Sequence, residues 1–257
     1  MEKGMKIAYV VPGPMKREEI SRRQLLLQQW ANPGVTVEII DVAEGPASVE
    51  SMYEEYLGIP EAAKIIYRLD QEDYAAVVLG CAGDPGLDAL REITQNVLVI
   101  GPREAGMNMA AILGHRFSVL TVTDSRIPRG HELALIAGLR SKLVHVRALN
   151  IPVLELAQNR SAALEKLVQI GREEVEHHRA DSLVLGCMSM GFLNVAEEMT
   201  ERLGIPVMNP VRTALKTAEA LVMCGLHHSK KGYAYPPKLS SGKAKSLDDL
   251  LHKRTSP

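Results

Sequence analysis

Two cysteines stand at matched places in this chain. The first closes the run Val77-Val78-Leu79-Gly80-Cys81 and the second closes Leu183-Val184-Leu185-Gly186-Cys187. Each apolar run is short, rich in β-branched residues and free of polar alternation, the pattern of a strand buried on both faces of a parallel sheet. Each Gly-Cys therefore falls where a strand ends and the chain turns toward a helix, at the carboxyl edge where open α/β sheets bind ligands. A thiol there stands close to backbone N–H groups and to a helix start, both of which favour the thiolate. Two opposed sulfurs can work on a flat carbon centre without a cofactor. One thiolate removes a proton from one face, the other thiol returns a proton to the opposite face, and strand-exit N–H groups hold the developing oxyanion. That is racemase chemistry.

The elements that must position these thiols repeat along the chain. Buried strands are predicted at 6–11, 35–41, 75–79 and 97–100, and again at 117–122, 143–147, 182–185 and 205–208. Helical spacing fills the intervals at 18–30, 48–69 (interrupted near Gly58-Ile59-Pro60), 84–94, 102–113, 128–139, 161–179, 188–203 and 211–224. Ser48 is placed to cap the second helical stretch, and Asp84, followed by Pro85, to cap the helix it begins. The strand exits Pro12-Gly13-Pro14 and Thr123-Asp124-Ser125 lie about as far apart as the two cysteines do. The expected fold is therefore α/β, with two similar flavodoxin-like βα halves over 5–114 and 115–226, parallel sheets, and the active site in the cleft between them. The last helix is free to pack back on the first half. From His227 the apolar period stops, so 227–257 reads as a tail draped on the body or loosely ordered, with one amphipathic turn near 247–251.

Composition removes several classes of function. With 257 residues the chain can bury a substantial core, and a net charge of −1 with both signs interspersed leaves no nucleic-acid footprint. The apolar run near the start is too short for a signal peptide or a membrane span, which implies a cytoplasmic protein with no membrane partner. Three cysteines without C-x-x-C or zinc-like spacing read as reduced thiols. Neither a G-x-G-x-x-G nor a G-x-x-x-x-G-K-[ST] motif is present, so no dinucleotide or P-loop site is supported. Cys224, in the run Ala220-Leu221-Val222-Met223, reads as core, and so do Met107 and Met109. The pairs His177-His178 and His227-His228 read as solvated surface rather than metal ligands, and no metal site is expected. Thr121, Thr123 and Ser125 offer hydroxyls for a polar ring or carboxylate, or for capping the following helix.

On these residues the chain resembles the aspartate/glutamate racemase superfamily, and within it the hydantoin racemase branch that includes allantoin racemases. The resemblance rests on Gly80-Cys81-Ala82-Gly83-Asp84-Pro85-Gly86-Leu87-Asp88, Leu185-Gly186-Cys187, Gly45-Pro46-Ala47-Ser48-Val49-Glu50-Ser51 and Ser229-Lys230-Lys231-Gly232-Tyr233, and spans about residues 5–237. It implies that Cys81 and Cys187 are the two acid/base residues. It also implies that amides at Ala82, Gly83, Met188 and Ser189 hold substrate carbonyl oxygens; their strand-exit positions add Pro12, Gly13, Thr123 and Ser125 to the expected substrate site. Neither cysteine is followed by the Thr usual in amino-acid racemases. Pro12-Gly13-Pro14 replaces the branch's Asn-Pro-Asn, and Met188-Ser189-Met190 replaces its Ala-Gly-Met. The expected function is cofactor-independent racemisation of a 5-substituted hydantoin or related cyclic ureide, a small-molecule substrate, by a homo-oligomer. The alternatives are another reaction of the superfamily (amino-acid racemisation, or maleate-isomerase-like or arylmalonate-decarboxylase-like chemistry) and a sensor on the same fold that has lost turnover.

Overall fold

The computed structural model describes residues 4–251. Strands β1 (Met5–Val11), β2 (Val35–Asp41), β3 (Ala76–Leu79) and β4 (Leu98–Ile100) form one parallel sheet in the order β2-β1-β3-β4. Strands β5 (Phe117–Thr121), β6 (Leu143–Ala148), β7 (Ser182–Leu185) and β8 (Val207–Met208) form a second, parallel again, in the order β6-β5-β7-β8. The two orders are the same once the second set is renumbered, so the internal repeat seen in sequence is a repeat of topology. The crossovers run through α1 (Arg17–Trp30), α2 (Met52–Leu57), α3 (Ile59–Leu69), α4 (Leu87–Ile93) and α5 (Pro102–Leu113) in the first half. In the second they run through α6 (Ile127–Ile136), α7 (Arg160–Glu176), α8 (Met188–Phe192), α9 (Ala196–Leu203) and α10 (Pro210–Met223).

Strand order in each sheet reverses between its first and third strands, and ligands in such sheets bind at the carboxyl end of that reversal. Cys81 follows β3 and Cys187 follows β7, so both thiols stand at these switch points. The glycine before each is required by the ladder. Gly80 N–H donates to the Val10 carbonyl and Gly186 N–H to the Leu120 carbonyl, each at 2.7 Å. A Cβ on Gly80 would stand 2.7 Å from that same Val10 oxygen, and one on Gly186 2.8 Å from the Leu120 oxygen. Backbone cannot yield as a side chain can, so only glycine lets β3 and β7 close on the central strands and aim the next residue out of the sheet.

Apolar burial joins the halves. Val211, Ala214, Leu215 and Ala218 of α10 pack with Ile7, Tyr9 and Val78 of the first sheet, so the last helix does return to the first half. Met188 and Phe192 of α8 enter the same core, where Phe192 meets Tyr9 edge-on at 5.6 Å between centroids.

Several local expectations are corrected. Ser51, not Ser48, caps α2: its Oγ accepts from Glu54 N–H at 3.2 Å and donates to the Glu54 carboxylate at 2.9 Å, a capping box. Asp84 caps a helix, but a distant one. Its two oxygens accept from Arg103 N–H (3.0 Å) and Glu104 N–H (2.8 Å) at the start of α5. Burial leaves this carboxyl pushed up to about 6, with the same two amides pulling it back down. Cys224 is exposed: it follows the end of α10 at Met223, and Met223 and Leu226 on either side of it are exposed as well. The tail is draped on the body as far as it is described. His228 is half-buried rather than freely solvated: its Nε2 accepts from Val99 N–H of the edge strand β4 at 2.8 Å, and burial holds the ring down to about 4, hence neutral. Lys230 Nζ donates to the Arg91 carbonyl at 2.6 Å, and Arg91 reaches Tyr233 Oη at 3.1 Å. The expected turn near 247–251 is a single 3₁₀ turn at Asp248–Leu250.

Candidate active site

A cavity of about 600 Å³ opens between the carboxyl edges of the two sheets, and both Cys81 and Cys187 line it. Each half supplies one thiol and one strand-exit loop. Val11 ends β1 and Pro12 follows it, as Thr121 ends β5 and Val122 follows. Of the residues expected at the site, Pro12, Gly13, Ala82, Gly83, Met188 and Ser189 all border the cavity. Thr123 and Ser125 do not. Their hydroxyls lie 2.9 Å apart, and Ser125 Oγ donates to the Glu50 carbonyl at 2.9 Å, so they stitch the second-half loop to the first half instead. Ser48, freed from capping, borders the cavity.

The thiols differ from the expectation in their electrostatics. Both are half-buried toward the cavity. Burial pushes the Cys81 thiol up to about 12, the Glu55 carboxylate adds to this, and the Gly83 N–H, 3.5 Å from Sγ, opposes it. Burial likewise pushes the Cys187 thiol up, while the amides of Met190 and Ser189 and the guanidiniums of Arg23 and Arg103 pull it down. The thiolate-favouring amides foreseen at the strand exits are present, but loss of water outweighs them. Such a thiolate is scarce but strongly basic, which suits a carbon acid. Iodoacetamide should therefore alkylate Cys81 at neutral pH at least about tenfold more slowly than an ordinary free thiol, with the rate rising about tenfold per pH unit beyond pH 9. Peptide-resolved mass spectrometry reads this directly, and a plateau below pH 8 would contradict it.

Charged side chains that the sequence did not single out surround the thiols. Arg126 is buried against the fully buried carboxylate of Glu55 on α2, and Arg129 pairs with the same carboxylate at 3.0 Å. Arg129 Nη2 also donates to the Gly83 carbonyl at 3.2 Å, so this triad fixes the loop after Cys81 from the opposite half. On the other side Arg103, from the start of α5, donates to the Gly186 carbonyl at 2.6 Å, next to Cys187. Arg23 on α1 pairs with Glu19 at 2.6 Å and lies 3.4 Å from Ser189 Oγ. The available signal was position: Arg103 and Arg126 closely follow the ends of β4 and β5, where an α/β sheet presents its ligand-binding edge. Nothing distinguished Glu55 from its neighbour Glu54.

Away from the cavity, His145, Glu174 and His178 come within ligand distance of one another. Glu174 already accepts from Ser118 Oγ (2.6 Å) and Arg147 Nη1 (2.8 Å), so the cluster is a buried carboxylate satisfied by its neighbours. Among the described residues no helix is long and apolar enough to cross a membrane.

Two parallel sheets of matching order each deliver a cysteine to one shared cavity, and likeness to known proteins places the chain among the racemases. The chain belongs to the Asp/Glu/hydantoin racemase family, whose model matches residues 23–218. It is 37% identical to the hydantoin racemase of Pseudomonas sp. (strain NS671) over 195 residues, 76% of this chain and 77% of that protein. It is 34% identical to the hydantoin racemase of Paenarthrobacter aurescens over 204 residues, 79% of this chain and 85% of that one. The structure of allantoin racemase from Klebsiella pneumoniae superposes with a TM-score of 0.84 at 28% identity, covering 91% of this chain and 94% of that one.

Proposed function

We propose that this protein is a cofactor-independent racemase of 5-substituted hydantoins or related cyclic ureides, with Cys81 and Cys187 as its two acid/base groups. The observation that carries this reading is the pairing of the thiols. They leave equivalent strands of two equivalent sheets and face one cavity. The ring's C5 hydrogen passes to one thiolate, the C5–H electron pair spreads into the adjacent carbonyl as an enolate, and the opposite thiol protonates C5 from the other face. The product is the mirror-image ring, and the two sulfurs have exchanged protonation states. Backbone N–H groups of the loops after each cysteine, at Ala82, Gly83, Met188 and Ser189, are the groups assigned to the enolate oxygen. The functional unit in this reading is the pair of halves 5–114 and 115–226, each giving one thiol, with 227–257 as an appended tail.

Self-association into a homo-oligomer belongs to the same reading. It is supported by exposed apolar side chains on neighbouring helices: Ile112 and Leu113 of α5, Leu135 and Ile136 of α6, and Met223 of α10. A cytoplasmic location fits three unpaired cysteines.

The experiment follows optical rotation of single-enantiomer 5-substituted hydantoins and allantoin. Decay well above the spontaneous rate is expected for at least one of them. No acceleration with any of these rings would overturn the assignment, and aspartate and glutamate, run in parallel, would identify an amino-acid racemase instead.

A further inference from the structure

The cavity is far more cationic than the protein that holds it. A chain of net charge −1 lines it, among the described residues, with Lys16, Arg22, Arg23, Arg103 and Arg126 against the single carboxylate of Glu19. Glu19 is already engaged by Arg22 (2.7 Å) and Arg23 (2.6 Å), and Arg126 by Glu55. Arg103 is different. It is 5% exposed, its Nη2 donates to the Gly186 carbonyl, and its Nε and Nη1 have no hydrogen-bond partner. No carboxylate among the described residues lies within ion-pair distance of it. Asp84, which caps α5 beside it, spends both oxygens on the backbone amides of Arg103 and Glu104. Asp84 offsets part of the cost of burying this guanidinium, but no carboxylate is bonded to it, and an anion in the cavity would supply further compensation. This one borders the cavity beside the loop that carries Cys187.

We propose that the substrate is anionic: a hydantoin-type ring whose 5-substituent bears a carboxylate, selected by the cationic lining of the cavity and above all by Arg103, which has no bonded carboxylate of its own. The inference rests on the racemase reading above and narrows it. A ring with a short acidic arm would put its C5 between the sulfurs and its carboxylate toward the Arg103 side. Apolar or neutral 5-substituents leave Arg103 with Asp84 as its main counter-charge in a site that the ring has emptied of water. The same side chain explains why the loss of polar residues at Pro12-Gly13-Pro14 need not cost polar recognition.

The test compares two isosteric substrates, 5-(carboxymethyl)hydantoin and its neutral amide, 5-(carbamoylmethyl)hydantoin. The wild-type kcat/KM ratio should favour the carboxylate about 10- to 100-fold, the range of a charge-assisted hydrogen bond. Arg103→Met should collapse this ratio to within about threefold of unity, and Arg103→Lys, which keeps the charge but not the planar fork, should fall between. A wild-type ratio at or below one overturns the proposal even if Arg103→Met fails to fold, and so does a ratio that Arg103→Met leaves intact. Titration calorimetry of both compounds separates this failure from failure of the racemase reading. Racemisation that prefers the amide sinks the anion site alone. Arg103-dependent binding of the carboxylate without racemisation of either compound sinks the racemase reading and keeps the anion site.

Discussion

Cys81→Ser and Cys187→Ser are each expected to lower racemisation about 10²- to 10⁴-fold, the usual contribution of one general acid/base group. Serine nearly preserves the shape of cysteine, so the cavity and the two sheets should be unchanged. What is lost is a group acidic enough to give up its proton and, as an anion, to take one from carbon. In the proposed mechanism each sulfur serves one face of the ring, so either loss should stop inversion in both directions. Each variant should nevertheless keep one working base. With the enantiomer that presents its hydrogen to the surviving thiolate, C5–H exchanges with solvent without inversion, and Cys81→Ser and Cys187→Ser should show this for opposite enantiomers. Proton NMR in D₂O checks both points. Racemisation within tenfold of wild type in either variant would remove that cysteine from the mechanism.

The largest expected effect on stability lies behind the loop of Cys81. Glu55 is fully buried and holds Arg126 and Arg129 from the other half. Glu55→Gln leaves two guanidiniums facing a neutral amide, one of them buried, and should cost about 3–5 kcal/mol. Glu54→Gln, one residue earlier in the same helix, weakens the α2 capping box and should cost only about 1 kcal/mol. Urea denaturation of both variants with an unchanged m-value makes the comparison, and equal losses would show that the triad is not a structural anchor. The loop after Cys81 is bonded to Arg129 through the Gly83 carbonyl, so the Glu55 change should also lower kcat.

The pH dependence follows from the thiols. A group whose acid is weakened by burial is almost wholly protonated near neutrality, so the thiolate fraction, and with it kcat/KM, should climb through pH 7 to 9 rather than level off.

Much of the fold was legible because its strands are buried on both faces and written as uninterrupted apolar runs. The topological repeat was visible because Gly80-Cys81 and Gly186-Cys187 answer to the same steric demand, the close approach of each glycine to the central strand of its sheet. Element ends were less legible. Ser48 and Ser51 both satisfy the local rule for a cap, and only the reciprocal bond with Glu54 decides between them. Asp84 looks like the cap of the helix it precedes, yet with φ at 49° and its side chain turned to α5 it serves an element some twenty residues onward. The charged lining of the cavity was legible only as the position of Arg103 and Arg126 after strand ends. Whether Arg103 is buried without a bonded carboxylate, or Glu55 buried with two arginines, depends on contacts across the halves that carry no local pattern. His228 and Cys224 fail for the same reason in opposite directions: one is drawn in by an unpaired edge N–H, the other turned out at the end of a helix.

The most direct test of the two-thiol account runs the reaction in D₂O from one pure enantiomer and analyses both enantiomers at C5 within the first few per cent of conversion. If one sulfur removes the hydrogen and the other delivers a solvent-derived deuteron from the opposite face, the product enantiomer is fully deuterated while the remaining substrate still carries protium. Deuterium entering the remaining substrate as fast as inversion proceeds would mean that a single base serves both faces, and would contradict the account.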